Sequence, residues 1–249
     1  MAKIIGHDEY LSKKIYSNKA HGLSLLAILF IALGIFWIYF LSFQYTVLGL
    51  YIRIGIVLIV YFLLKRPIEK ILHVLRQYRK GLNGELYIRS LLERLPDTYV
   101  VFHGITLSKD SGNIDFVVVG PNCTFAIEVK SHKGNITFNG KELLRNGQLL
   151  EKNFLYQARG EAIGLGNYLR SQLPFPIYVQ SVIVFSNAHT TMRFGETPIY
   201  DVIIIGYRWL VGLIESHKTK YYYSSEQLDQ IVNLLIESHK VSDTIVNRA

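Results

Sequence analysis

Three charged side chains stand inside an otherwise apolar stretch of the chain. Asp115 opens the run Ile114-Asp115-Phe116-Val117-Val118-Val119, and Glu128 and Lys130 close the run Thr124-Phe125-Ala126-Ile127-Glu128-Val129-Lys130. Segments this rich in Val, Ile and Phe read as buried strands, where an unpaired charge is costly. Glu128 and Lys130 are two residues apart and therefore project from one face of a strand. Gly120-Pro121-Asn122 between the runs is turn chemistry, so a hairpin would bring the Asp115 carboxylate toward Glu128. Two close carboxylates repel, and a divalent cation is one remedy; Lys130 beside them would orient a water or stabilise developing negative charge. The same spacing also admits a plain ion pair, Asp115 with Lys130 or Glu128 with Lys130, on an exposed sheet edge. The pattern alone does not choose between the two.

The elements that must hold these residues follow from periodicity and turn signals. A helix is expected over 83–95, with Leu86, Ile88, Leu91, Leu92 and Leu95 apolar and Pro96 ending it. Strands are expected at Tyr99–Leu107, Ile114–Val119 and Thr124–Lys130, with a further turn at Ser111-Gly112-Asn113. A small hairpin around Asn139-Gly140 would join 135–138 to 143–145. A helix near 153–171, strands at 177–185 and 202–205, and helices near 207–217 and 225–239 complete a mixed α/β domain over 82–249. Gly160, Gly164 and Gly166 have the wrong spacing for a dinucleotide fingerprint, and close helix packing explains them better. Leu-Ile-Glu-Ser-His-Lys occurs at 213–218 and again at 235–240, where the His-Lys pairs complement helix C-termini rather than bind metal. Tyr221-Tyr222-Tyr223 reads as a packed or interfacial aromatic patch, and His103 and His132, which flank the core strands, read as surface residues.

Taken together, Asn83-Gly84-Glu85 opening a helix, Ile114-Asp115 before three valines, Ile127-Glu128-Val129-Lys130, Gly134-Asn135-Ile136, and Gln157 on the following helix resemble the nuclease-related domain, a branch of the PD-(D/E)xK nuclease superfamily. The resemblance covers about 83–190. It implies a restriction-endonuclease-like core, a mixed sheet flanked by helices, and nuclease activity dependent on Mg²⁺ (or Mn²⁺). It also implies that Asp115 and Glu128 hold the metal with the Val129 carbonyl as a backbone ligand, that Lys130 positions the attacking water, that Glu85 supplies a third acid, and that Gln157 orients substrate or water. Ile114 stands where the superfamily's naming Pro would be, and Asn122-Cys123 where a Gly often turns the chain. Neither departure removes a ligand.

Upstream of this domain the composition is different. Leu23–Leu41 carries no charge and Val47–Leu64 carries only Arg53, and 18 to 19 residues at ~1.5 Å each approach the ~30 Å hydrocarbon thickness of a bilayer. The pair reads as a two-helix transmembrane hairpin over 23–64, with Arg53 snorkelling to the loop side or facing the first helix. Lys13, Lys14 and Lys19 precede it, Lys65, Arg66, Lys70, Arg76, Arg79 and Lys80 follow it, and the connecting loop has no Lys or Arg. The positive-inside rule then places both termini, the segment 1–22 and the C-terminal domain in the cytosol, at the cell membrane. Over 65–81, Ile68, Ile71, Leu72 and Leu75 repeat at helical spacing among basic residues, with Pro67 suited to a first turn. An interfacial helix on anionic lipid headgroups is expected, with a nucleic-acid-guiding arm as the alternative.

Charge and cysteine content narrow the function further. The net charge of +8 belongs wholly to residues 1–81, since 82–249 hold 16 Lys/Arg against 16 Asp/Glu. Long-range attraction of phosphates to the domain is therefore weak, leaving local clusters such as Lys130/Lys133 or Lys141/Arg145/Lys152 to line a cleft. The single Cys123 excludes an intramolecular disulfide framework. The expectation is a membrane-anchored metal-dependent nuclease acting on DNA or RNA. The alternative is a catalytically silent nucleic-acid-binding or protein-interaction module of the same fold. The hairpin could pair with itself or with another membrane protein.

Overall fold

The computed structural model describes residues 1–6, 34, 37, 47–107, 113–194, 197–219 and 222–246. The chain divides into two compact units, one formed by 1–7 with 81–249 and the other by 8–80.

The larger unit is built on a six-stranded sheet. Its strands are β1 (Lys3–Ile5), β2 (Val100–Thr106), β3 (Asn113–Val119), β4 (Thr124–Lys130), β8 (Val179–Phe185) and β10 (Val202–Gly206), adjacent in that order. β2, β3 and β4 form an antiparallel meander, whereas β4, β8 and β10 run parallel and β1 pairs parallel with β2. The parallel strands are buried on both faces, which is why Val179–Phe185 and Val202–Gly206 are near-continuous apolar runs. A smaller sheet contains β5 (Gly134–Phe138), β6 (Leu143–Arg145), β7 (Gln148–Leu149) and β9 (Thr190–Thr191), in the order β7-β6-β5-β9.

The helices are α1 (Val47–Leu92), α2 (Phe154–Gln172), α3 (Leu210–Ser216, after a 3₁₀ turn at Tyr207–Trp209) and α4 (Ser225–Val246). One face of the sheet carries the last residues of α1, from Ile88, together with α3; Phe116, Val118, Phe125 and Ile127 meet them. On the other face α2 lays Leu155, Ala158, Ala162, Leu165 and Leu169 over β3, β4 and β8, with α4 contributing Ile231 and Leu235. Asn153 caps α2, its side chain accepting from Tyr156 N–H at 3.0 Å.

Most expected elements are present within a residue or two, and the mixed α/β class is observed. Several expectations are corrected. Residues 3–5, within the expected N-terminal segment 1–22, are a strand of the domain sheet, where they cover the edge of β2. The helix expected over 83–95 is the end of α1, which runs through 65–81 without a break. Pro67 therefore lies inside a helix and not in its first turn. His103 is buried, 5% exposed, and stacks on Phe116 at 4.6 Å between ring centres. Gly160 and Gly164 face open space, so close packing does not explain them. In the Tyr221–Tyr223 run, Tyr223 is buried and Tyr222 exposed, while Tyr221 lies outside the described residues.

In the smaller unit the apolar run 23–41 lies outside the described residues apart from Gly34 and Trp37. In the second run the side chains of Leu48, Leu50, Ile52, Arg53, Val57 and Val60 also lie outside them. Among the described residues no helix is long and apolar enough to cross a membrane, so the expected transmembrane hairpin has no support there. Among the described apolar side chains of α1 in this unit, Val47, Tyr51, Ile59, Phe62 and Leu63 are 60–74% exposed.

Candidate active site

The β3–β4 hairpin sets the geometry. Its register pairs Phe116 with Ile127, and Asp115 and Glu128 are the residues next to that pair on the two strands. Val129 N–H donates to Asp115 Oδ2 at 2.7 Å, so the acid is tied directly to the strand that carries its partner. Alternation in β3 also breaks here: Ile114 packs in the same cluster as Val117 and Val119, while Phe116 packs with Val118 on the other face.

The turn that closes this hairpin is fastened from several sides. Gly120 N–H donates to the Cys123 carbonyl at 3.0 Å. A Cβ on Gly120 would lie 2.2 Å from the Tyr99 ring, so only glycine fits against it. Asn122, 4% exposed, accepts from Tyr99 Oη at 3.2 Å and donates to the Ile214 carbonyl of α3 at 2.6 Å. The Asn122-Cys123 departure noted in the sequence is thus a tether to α3.

Glu128 is the centre of the cluster, 4% exposed in a central strand. Its Oε1 accepts from Lys130 Nζ and from Gln157 Nε2, the latter at 2.9 Å. Its Oε2 is buried and has no hydrogen-bond partner among the described residues. Lys130 lies over the Phe154 ring, with Nζ 4.3 Å from the ring centre, which holds the ammonium at the start of α2. The Glu128–Lys130 ion pair is therefore real. It lies between β3 and β8, not on the exposed edge that a purely structural pair would have occupied.

A further acid enters from α2. Gln157 Nε2 also donates to Glu161 Oε1 at 3.0 Å, one helical turn along. Burial and the neighbouring Glu128 push the Glu161 carboxyl up to about 8. Asp115 is likewise raised well above the usual carboxylate range, first by burial and then by Glu128 and Glu85, with the Val129 N–H and Lys130 pulling the other way. Glu161 was not singled out in the sequence. The one signal was its position four residues after Gln157, which puts both on one helix face.

Glu85 arrives from α1 because Gly84 lets that helix approach closely. A Cβ at Gly84 would come within 2.5 Å of Ser186 Oγ and 3.4 Å of Ser131 Cβ, at the carboxyl ends of β8 and β4. Glu85 Oε2 lies 3.6 Å from His103 Nε2, and Glu85 is near enough to Asp115 to shift its titration. His132 is only partly buried; burial, Arg145 and Lys130 lower its pKa, and its ring packs against Phe154.

The structure thus brings Asp115, Glu128, Lys130 and Gln157 together and adds Glu161, with Glu85 on the Asp115 side. Among the described residues no group of three or more His, Cys, Asp or Glu side chains forms a ready-made cation cage. The available donors are hard oxygens, and the unsatisfied Glu128 Oε2 and the mutually raised acids fit a hard divalent cation of the Mg²⁺ type.

Residues 80–186 match the model of the family described as nuclease-related domain, NERD. That segment runs from the end of α1 to the residue after β8 and contains Glu85, Asp115, Glu128, Lys130, Gln157 and Glu161. The match suggests a nuclease-related function for that segment. Comparison with curated proteins found no match, nor did comparison with solved structures.

Proposed function

We propose that the chain is a membrane-anchored, metal-dependent nuclease whose C-terminal domain faces the cytosol and hydrolyses phosphodiester bonds of DNA or RNA. The observation that carries this reading is the convergence of Asp115, Glu128 and Lys130, with a Glu128 oxygen left unsatisfied. In this reading Asp115 and Glu128, with the Val129 carbonyl, would hold Mg²⁺ or Mn²⁺. The cation, when bound, neutralises phosphate oxygens and makes a bound water acidic. Lys130 orients the attacking water and offsets developing charge on the phosphate. Gln157 bridges Glu128 and Glu161 and keeps both carboxylates turned toward the reacting phosphate. Glu85 completes the acidic wall on the Asp115 side.

Membrane anchoring draws its support from α1. Its exposed apolar column would be unfavourable in water at about 25 cal/mol per Å², and lipid removes that penalty. The exposed Ile68, Leu72 and Leu75 with the surrounding Lys and Arg residues suit an anionic lipid surface.

The test uses the full chain in nonionic detergent with labelled single-stranded DNA, duplex DNA and RNA. Cleavage is expected with Mg²⁺ or Mn²⁺ and not with EDTA, and Asp115→Asn, Glu128→Gln and Lys130→Met are each expected to reduce it about 100-fold or more. Folded protein that cuts none of these substrates with either metal would leave the silent binding module in its place.

A further inference from the structure

β4, β8 and β10 are parallel, so their carboxyl ends share one edge of the sheet. Ligands of open α/β sheets bind beyond such ends. Lys130 ends β4. Asn187, two residues past β8, donates to the Ser131 carbonyl at 3.3 Å. Tyr207-Arg208-Trp209 follow β10 directly. Beyond this edge lies a cleft of about 900 Å³ whose walls include Asn187, Arg193, Phe194, Tyr207, Arg208 and Trp209. None of its lining residues is Asp or Glu, and none of Lys130, Lys133, Lys141, Arg145 or Lys152, the cations expected to line a cleft, belongs to it.

The composition of this cleft departs from the rest of the domain. Over 82–249 acidic and basic residues balance. Here two guanidinium groups stand without a carboxylate partner among the described residues. Trp209 is 73% exposed, although a buried Trp would remove 150–250 Å² from water, by the usual range. Tyr207 beside it is held in place: the Tyr87 ring meets it edge-on at 5.2 Å, and the Arg208 guanidinium lies 5.6 Å from its ring centre with Nε donating to Tyr207 Oη at 3.1 Å. Exposed aromatic faces interleaved with cations bind unpaired nucleotides, since bases stack on the rings and phosphates meet the cations. In a duplex the base faces are already stacked and offer Trp209 nothing.

We infer that this cleft seats a single strand of nucleic acid, with a base stacked on Trp209, which the packed Tyr207 flanks, and phosphates held by Arg193 and Arg208, on the sheet edge where Lys130 ends β4. The inference rests on the nuclease reading for its ligand class, and it adds strandedness and the residues that impose it. It also supplies the local attraction that the neutral domain lacks as a whole.

The test separates the two readings by leaving metal out. Trp209 is one of only two tryptophans, so Trp37→Phe makes it the sole one. The full Trp37→Phe chain in nonionic detergent with EDTA is titrated with a 12-residue oligo(dT), and separately with a duplex of equal length. The single strand should quench Trp209 emission with an affinity that falls as salt rises, and the duplex should leave the emission unchanged. Arg193→Ala with Arg208→Ala should weaken binding about tenfold or more and reduce the log–log salt slope by about 1.4. Trp209→Phe should retain more binding than Trp209→Ala when followed by anisotropy of a labelled oligo(dT). Quenching without metal-dependent cleavage would sustain the inference and reject hydrolysis. Cleavage that depends on Glu128 without quenching, or equal quenching by the duplex, would overturn the inference and leave hydrolysis standing.

Discussion

Glu128 and Lys130 differ in what their removal exposes. Lys130→Met leaves a carboxylate that is 4% exposed without its cation, a change that costs about 3–5 kcal/mol. Glu128→Gln in the same protein removes the stranded charge, so the double variant should recover most of that loss; urea unfolding of the four proteins measures the coupling. Glu161 titrates in the opposite sense to a salt-bridged acid. Its folded pKa, about 8, exceeds its ordinary 4.5, so between those values the folded chain keeps a proton that the unfolded chain has released. Stability of the metal-free domain should therefore fall as pH rises from about 4.5 to 8, and Glu161→Gln should flatten that decline. Mg²⁺ favours the ionised acids, so the thermal shift it produces should grow across the same window; a shift that shrinks toward the upper end would count against a carboxylate site. At this scale the sequence was informative where a charge interrupted an apolar run, as at Asp115 and Glu128. It was silent at Glu161, which is an ordinary helix residue until α2 is laid across β4. His103, expected at the surface because it flanks the core strands, is instead buried on Phe116 by the pairing of β2 with β3.

Among the elements, the β3–β4 hairpin is fastened at its turn in part by the packing of Gly120 against Tyr99. Gly120→Ala would drive a methyl into the Tyr99 ring, and a destabilisation of about 1–3 kcal/mol is expected. Because Asn122 ties the same turn to α3, this variant should also loosen α3, seen as faster amide exchange at Leu213 and Ile214. Cys123 lies in this turn, buried, with its thiol pushed up to about 12 by burial. As the chain's one cysteine it should resist iodoacetamide at about pH 8 in the folded protein and react once urea opens the hairpin, which gives a direct rate of opening. Strands and turns of this kind were legible, since period-two patterning and Gly, Pro and Asn mark them. The continuity of α1 was not. Pro67 and Gly84 both read as boundaries, yet a proline tolerated inside a helix and a glycine needed for close approach to Ser186 carry the same letters as a stop and a cap.

For the molecule as a whole, the exposed apolar column of α1 predicts partition into lipid. The full chain should float with liposomes and resist alkaline extraction, and binding should increase with anionic lipid through the basic residues of 65–80. A protein that stays in the aqueous fraction would remove the anchor from the proposed function while leaving the cluster on β3 and β4 unaffected. One long-range pairing had no signal in the sequence: Lys3–Ile5 is too short for patterning, and its partner β2 begins at Val100. That pairing has a topological consequence. Residues 8–80 leave the domain after β1 and re-enter it at Gly81, so both ends of the excursion are fixed to one folded body. If the proposed anchor crosses a bilayer it must do so an even number of times, because β1 and β2 pair on one side, and deleting just one of the two apolar runs would then place β1 across the membrane from the strand it pairs with.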